Sequence, residues 1–155
     1  MSVTLRPIGD EEFEAWFPRM RDGYARDMSE NGGFAPDKAA AMAAEQMESL
    51  FPGQKPSAEQ LLYIVEADGE RVGELWVCDR HTPLQHALFI YFVGIDKAHR
   101  GKGYGKAAME LAEAEARRLG VDRVALSVFG RNDVARNLYR SLGYEENTVS
   151  MSKKL

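Results

Sequence analysis

The residues with the clearest chemical potential form one glycine-rich segment, Arg100–Lys106. Glycine alternates with larger residues at positions 101, 103 and 105, and basic side chains occupy positions 100, 102 and 106. Glycines leave the backbone N–H groups accessible to phosphate oxygens, and the basic side chains add positive charge. The segment follows an apolar run and opens a helical pattern, where unpaired N–H groups and the helix dipole favour an anion. The segment by itself therefore fits two interpretations, a loop that binds a diphosphate and an ordinary glycine-rich strand-to-helix turn with solvated lysines.

The same segment does not fit two familiar phosphate-binding motifs. The dinucleotide fingerprint, G-x-G-x-x-G, needs glycine at the position that Lys106 occupies. A Walker loop, G-x-x-x-x-G-K-[ST], needs serine or threonine where Ala107 stands and glycine where Arg100 stands. We therefore expect neither dinucleotide binding nor nucleoside triphosphate chemistry.

Composition and charge restrict the partners and the compartment. The chain has 155 residues, 45% of them hydrophobic and 28% charged, which predicts one globular domain over residues 1–155. A net charge of -4 argues against a nucleic-acid partner. The single cysteine, Cys78, fits a reducing compartment. Because no apolar run approaches the roughly 20 residues of a membrane span, and no secretory signal is recognisable at the start, we expect a cytoplasmic protein without a membrane partner.

The first third of the chain predicts one strand and two helices. Val3–Ile8 alternates like a strand, and Asp10 can cap a helix whose apolar residues recur at helical spacing. Pro18 lies within that helical pattern and predicts a kink or a break. Asn31–Gly33 stops the helix, and a second helix runs from Pro36 to about Leu50.

The remainder of the chain alternates between strand and helix patterns. Asp68-Gly69 between two apolar runs predicts a hairpin. The predicted elements are strands at Leu61–Ala67, Arg71–Cys78, Ala87–Ile95, Val124–Phe129 and Val149–Lys153, and helices at about Gly103–Leu119 and Asn132–Leu142. The order β-α-α-β-β-β-α-β-α-β predicts an α/β domain with a mixed sheet and helices on both faces.

Two motifs together resemble those of the GCN5-related N-acetyltransferase (GNAT) family. Arg100–Gly105 matches [RQ]-x-x-G-x-[GA], the hallmark of that family. Asn132, Ala135, Leu138-Tyr139 and Gly143-Tyr144 match its later segment N-x-x-A-x-x-L-Y-x-x-x-G-[FY]. The resemblance extends from about Leu61 to the end of the chain, where Met-Ser-Lys-Lys-Leu is similar to the last strand of a little-characterised bacterial subgroup.

The resemblance implies a fold and a cofactor site. The fold is a central mixed sheet of about six or seven strands with about four helices, in which two central strands splay apart. Acetyl-CoA is then the acyl donor, with pantetheine paired to the backbone of Val93 and Ile95 in the gap, and no metal takes part. The segment Phe92–Gly94 suits such a split because glycine often marks a bulge. The residues implied for the cofactor are Val93, Ile95, Arg100, Gly101, Lys102, Gly103, Tyr104, Gly105, Lys106, Asn132, Ala135 and Tyr139.

The implied reaction is direct acetyl transfer to an amine in a ternary complex. Tyr139 stands where relatives carry the acid that protonates the departing thiolate, although its spacing also suits a core tyrosine. Many relatives have an acidic base in the strand before the loop, at the position of Tyr91. Glu74 and His86 are the remaining candidates for the base, acting through water, and both positions also suit ordinary strand-edge residues.

Other functions stay open at this point. A non-catalytic acyl-CoA-binding module that regulates a partner is one alternative, and a cleft filled by Trp16, Phe34 or Trp76 would favour it. An acyltransferase that uses longer acyl groups or a hydroxyl acceptor is another. The acceptor is a small-molecule or peptide amine, and homodimers are common in the family. The three histidines lack the spacing of a metal site.

Overall fold

The computed structural model describes residues 2–155 and contains five strands, four α-helices and two short 3-10 turns. The strands are β1 (Val3–Pro7), β2 (Gln60–Ala67), β3 (Glu70–His81), β4 (His86–Ile95) and β5 (Val124–Leu126). The helices are α1 (Asp10–Glu30), α2 (Pro36–Leu50), α3 (Tyr104–Arg118) and α4 (Asp133–Ser141). The 3-10 turns are Pro52–Gln54 and Lys97–His99. None of the helices in this range combines the length and the apolar character needed to cross a bilayer.

The five strands form one mixed sheet in the order β1-β2-β3-β4-β5. The first four are antiparallel neighbours, whereas β5 runs parallel to β4 after the crossover through α3. Between β2 and β3, Asp68 and Gly69 both have positive φ, at 51° and 84°, and Ala67 opposes Glu70. This is a two-residue hairpin turn of the kind that the Asp-Gly signal predicts.

Helices cover both faces of the sheet. Successive side chains of β3 point to opposite faces, so Leu75 is buried on the α3 face and Trp76 on the face covered by α1 and α2. The core on the α1 face is strongly aromatic and contains Phe13, Trp16, Phe17, Phe51 and Trp76. The α/β class and the helices on both faces are therefore confirmed.

Helix α1 differs from the prediction in two ways. It continues through Pro18, where a kink or break was expected, because the buried residues on both sides of the proline hold it against the sheet. These residues are Phe13, Trp16, Phe17 and Met20. Asp10 is the first helical residue and not the cap. Gly9 occupies the cap position, and its N–H donates to the Glu12 carboxylate at 3.0 Å.

The end of the chain departs further from the prediction. Strand β5 stops at Leu126 instead of Phe129, and within the described range no strand forms over Val149–Lys153. The sheet therefore has five strands, and not six or seven. A strand requires a neighbour for its backbone groups, and residues 147–155 lie exposed and make no backbone hydrogen bond within the described chain.

Candidate functional site

The glycine-rich segment forms an exposed loop that leads into α3. Gly101 and Gly103 have φ of 77° and 84°, a left-handed conformation that side chains other than glycine adopt at a cost. Gly103 is the N-cap of α3, and in the described chain no side chain caps this helix. The first amides of α3 therefore have no intrahelical acceptor, and a side chain added at Gly101 or Gly103 would meet open space. These amides form an open cradle for an anion.

Basic side chains surround this cradle. Arg100 is tied to the end of β4, because its Nε donates to the carbonyl oxygen of Ile95 at 3.0 Å. Lys102 is exposed beside the two left-handed glycines. Lys106 lies in the first turn of α3 with its Nζ 3.9 Å from Glu110, at the outer limit of an ion pair. The donors, the charge and the space above the glycines fit a diphosphate.

Strands β4 and β5 separate immediately beside this loop. They pair only from Leu88 to Ile90, opposite Val124 to Leu126. A β-bulge marks the end of pairing, because Trp76 of β3 opposes Phe92 while the next residue opposes Ile90, which leaves Tyr91 unopposed. The expected splay is thus present, but its bulge lies at Tyr91 and not at Gly94.

Past the bulge, β4 directs backbone groups into the gap. The N–H of Asp96 donates to the carbonyl oxygen of Val72 in β3 at 2.8 Å. The backbone N–H and C=O groups of Asp96 and of every second residue before it therefore point toward β3. Val93 and Ile95 therefore face the gap with their N–H and C=O groups. One of these, the Ile95 carbonyl, already accepts from Arg100. This is the orientation that the predicted pantetheine pairing requires.

Strand β5 forms the other side of the gap, and α4 is the element that follows it along the chain. Asn132 caps it, because the Asn132 Oδ1 accepts the N–H of Ala135 at 3.2 Å. Tyr139 is half-buried on the same helix face, with its ring centroid 6.1 Å from that of Tyr144. Burial raises the pKa of the Tyr139 hydroxyl, and the charge of Asp27 raises it further. The hydroxyl is therefore protonated at neutral pH and can donate a proton.

Glu74 lies one strand away from the gap, opposite Gly94. Its side chain is 5% exposed and accepts hydrogen bonds from Arg19 at 3.1 Å and from Arg71. Burial raises the pKa of this carboxyl, but the hydrogen bonds from the two guanidinium groups outweigh burial and hold the pKa below its usual range. Glu74 is thus ionised, and its hydrogen bonds with Arg19 connect β3 to α1. Its role as a base stays a prediction.

The ionised Glu74 predicts a pH-dependent contribution to stability. A carboxyl whose pKa is lowered by folding stabilises the fold at pH values above its ordinary pKa of 4.5. This stabilisation is lost as the pH falls from there through the pKa of the folded state. We expect Glu74→Gln to reduce the free energy of unfolding by about 2 kcal/mol at pH 7 and by less at pH 3. Urea unfolding at both pH values measures the difference. A difference that does not change with pH would contradict the assigned charge.

The other base candidate lies far from the loop. His86 begins β4 and the loop follows its last residue, so the two are about 30 Å apart along the strand at the usual rise per residue. The His86 Nε2 is 2.6 Å from the Asp79 carboxylate, and its ring stacks on His81 at 4.5 Å. The structure does not bring His86 to the site. Within residues 2–155 no three histidine, cysteine or acidic side chains form a cluster that could hold a metal.

Two further side chains whose charge or burial is linked to Tyr139 or Tyr91, namely Tyr24 and Asp27, were not singled out from the sequence. Burial raises the pKa of Tyr24, and the charges of Asp27 and Tyr91 add to this. Because Asp27 acts on both Tyr24 and Tyr139, α1, the β4 bulge and α4 meet in one acidic, aromatic region. The Tyr91 hydroxyl accepts from Arg80 at 2.6 Å. No local motif marks Tyr24 and Asp27, and only their i, i+3 spacing was available as a signal.

Comparisons with known proteins show which proteins this chain is similar to. The profile of the "Acetyltransferase (GNAT) family" matches residues 17–144. The chain is 32% identical over 156 residues to YdgE of Bacillus subtilis (strain 168), named an uncharacterized N-acetyltransferase, with 100% of this chain and 99% of YdgE covered. The crystal structure of YycN from Bacillus subtilis has a TM-score of 0.90 and 31% identity, and 99% of each chain is covered. A mycothiol acetyltransferase of Kytococcus sedentarius is 29% identical over 152 residues, covering 96% of this chain and 47% of that protein.

Proposed function

Because this chain belongs to the acetyltransferase (GNAT) family, we propose that it transfers an acetyl group from acetyl-CoA directly to an amine in a ternary complex. The observation that carries the proposal is the uncapped start of α3 beside the gap between β4 and β5. An anion cradle and an unpaired strand edge lie next to each other there. Together they match a long cofactor that has a diphosphate at one point and an amide-containing arm at another.

The cofactor site that we propose uses the cradle and both walls of the gap. The backbone of Arg100–Lys106 holds the pyrophosphate, and Val93 and Ile95 pair with the pantetheine arm as an added strand would. Asn132 and Ala135 line the opposite wall at the start of α4. This arrangement is supported by the open amides and by the alternation of β4 backbone groups. The thioester, when bound, supplies the acetyl group.

The residues that would handle protons lie on either side of this gap. Tyr139 donates a proton to the departing sulfur, which its raised pKa keeps available at neutral pH. The attacking amine must lose a proton, since a lysine-like amine has a pKa near about 10.4. We assign this step to Glu74 through water, because it is one strand from the gap and ionised. Because its two arginine partners lower its pKa, Glu74 is a weak base. The water that carries the proton has to compete with both arginines for the carboxylate oxygens.

The base assignment predicts a loss of turnover in Glu74→Gln. We expect kcat to fall by about 100-fold while the KM for acetyl-CoA changes little, since glutamine accepts no proton. Steady-state rates measure both constants. Glu66→Gln is the matched control, because Glu66 also accepts from an arginine, Arg6 at 2.7 Å, but on β2 away from the gap. Equal kcat values for the wild type and Glu74→Gln would reject the base role.

The proposed activity is tested by incubating the protein with acetyl-CoA and a panel of amines. The panel contains polyamines, amino sugars, amino acids and peptides with free N-termini. We expect release of free coenzyme A thiol and a mass increase of one acetyl group on at least one amine. Cofactor binding without turnover on any amine would favour the non-catalytic module. A cleft filled by Trp16 or Trp76 would also favour that module, and both side chains are buried between α1 and the sheet.

A further inference from the structure

Arg80 is a half-buried arginine that no acidic side chain neutralises. It lies on β3 four residues after Trp76, so its side chain points to the face of the sheet that α1 and α2 cover. Within residues 2–155 it takes part in no ion pair. The other half-buried arginines each bind a carboxylate, and they are Arg6, Arg21, Arg71 and Arg136. Arg80 is therefore the exception among them, and its charge is available to a ligand.

The Arg80 guanidinium is nevertheless held in one place. Its Cζ lies 3.7 Å from the centroid of the Phe89 ring, and its Nη2 donates to the Tyr91 hydroxyl at 2.6 Å. The Tyr91 ring is fixed in turn, because it stacks on Trp76 with centroids 4.6 Å apart. The bond to Tyr91 is the one hydrogen bond that the Arg80 side chain makes within the described chain. A guanidinium has five N–H donors in a planar fork, so most of them stand ready for an oxyanion.

This guanidinium lies close to the gap between β4 and β5. Phe89, on which it stacks, still opposes Ala125 of β5, whereas Tyr91 is the bulge residue at which the two strands have separated. Phe89 and Val93 are four residues apart on β4, and Tyr91 and Val93 are two apart. At the usual rise per residue, the guanidinium is therefore about 7–13 Å along the strand from the backbone that would pair with pantetheine.

The opposite end of this region carries a negative charge. Asp27 of α1 accepts a hydrogen bond from Asn31 at 2.6 Å, and no basic side chain pairs with it in the part of the chain that the structure describes. Its charge acts on Tyr139, whose pKa it raises. A lysine-like amine arrives protonated, since its pKa is near about 10.4. Asp27 thus favours the amine end of an acceptor near Tyr139, and Arg80 favours an anionic end farther along β4.

We propose that Arg80 binds a carboxylate of the acceptor, so that the acceptor is an amino acid or a short peptide whose carboxylate lies roughly 10 Å from the reactive amine. This inference rests on the proposed function, because it names the acceptor class of the same site. A carboxylate fits better than a phosphate monoester, since one guanidinium balances one negative charge and its fork matches the two carboxylate oxygens. A fully extended tripeptide spans about 10 Å.

The test compares triglycine with triglycine amide, which have the same amine and differ in the charge at the far end. Each is titrated calorimetrically into the full-length wild-type chain, with and without coenzyme A. We expect the Kd of triglycine to be at least about tenfold lower than that of the amide. Diglycine and tetraglycine, with their amides, extend the comparison to shorter and longer separations. Equal affinities of acid and amide at all three lengths would overturn the proposal, and this comparison needs no variant.

The variant Arg80→Gln assigns the preference to one side chain. We expect its Kd for triglycine to rise at least about tenfold, while its Kd for triglycine amide stays within about threefold of the wild type. Arg80→Lys keeps the charge without the planar fork and should retain part of the preference. Arg117→Gln is the matched control, because it removes the same charge from an exposed side chain of α3, on the other face of the sheet. An equal loss of preference in Arg117→Gln would overturn the assignment to Arg80.

These titrations involve no turnover, so the failure of this inference is distinguishable from the failure of the proposed function. Binding of triglycine that depends on Arg80, without acetylation of any peptide, would reject the transferase and keep the carboxylate site. Equal acetylation of triglycine and its amide, unchanged in Arg80→Gln, would reject the carboxylate site and keep the transferase.

Discussion

Replacing Gly103 with glutamate is expected to abolish acetyl-CoA binding. Gly103 has φ of 84°, so a side chain there costs about 1 kcal/mol in backbone strain alone. The glutamate also projects into the open space above the loop and brings a negative charge to the start of α3, where the proposed pyrophosphate binds. We expect the Kd to rise by at least about 100-fold, or roughly 3 kcal/mol. Isothermal titration calorimetry measures the change directly.

Gly120→Glu provides a close control for Gly103→Glu. Gly120 also has a left-handed backbone, with φ of 73°, and open space around it. It follows the other end of α3, about 22 Å away for a helix of this length. Both variants therefore have a similar cost in backbone strain and add the same charge, but only Gly103→Glu places that charge at the loop. If a folded Gly103→Glu protein binds acetyl-CoA as tightly as Gly120→Glu does, the proposal that this loop binds the pyrophosphate is wrong.

Replacing Tyr139 with phenylalanine is expected to lower turnover without weakening cofactor binding. The variant keeps the ring on the apolar face of α4 and removes only the hydroxyl, whose raised pKa keeps it protonated. Loss of a general acid typically costs about 100-fold or more in kcat. We expect a fall of that size with the Kd for acetyl-CoA within about threefold of the wild type. Steady-state kinetics with the amine found in the panel and calorimetry supply the two readings.

Tyr144→Phe is the control for Tyr139→Phe. The Tyr144 hydroxyl is 3.5 Å from Glu113, and burial together with that carboxylate raises its pKa to about 12. Its ring neighbours that of Tyr139, so both variants remove a hydroxyl from one small region. Only Tyr139→Phe should slow turnover. Unchanged kcat in Tyr139→Phe would leave Tyr139 as a packing residue, the alternative that its helical spacing also allows.

The loop and its flanking elements could be predicted because their signals are local. Left-handed positions at Gly101 and Gly103 require glycine, and the apolar patterns before and after them define a strand and a helix. The Asp68-Gly69 turn was predictable for the same reason. In each case, the residues that adopt the conformation are also the residues that carry the signal.

Features that depend on distant packing could not be predicted. Pro18 usually interrupts a helix, and only the aromatic core against α1 explains why this helix continues. Val149 and Met151 have an alternating strand pattern, but a strand also needs a neighbour, and within residues 2–155 none pairs with them. The meeting of Tyr24, Asp27 and Tyr139 depends on how α1 and α4 pack, which no sequence spacing encodes.

The central claim, that the loop before α3 and the gap beside it bind acetyl-CoA, is tested most directly by calorimetric titration of the wild-type protein. Acetyl-CoA and free coenzyme A are titrated separately into the full-length chain. Binding in the micromolar range, near about -8 kcal/mol, at one site per chain is the result that we predict. A folded wild-type sample that gives no binding heat with either ligand at several temperatures would contradict the claim.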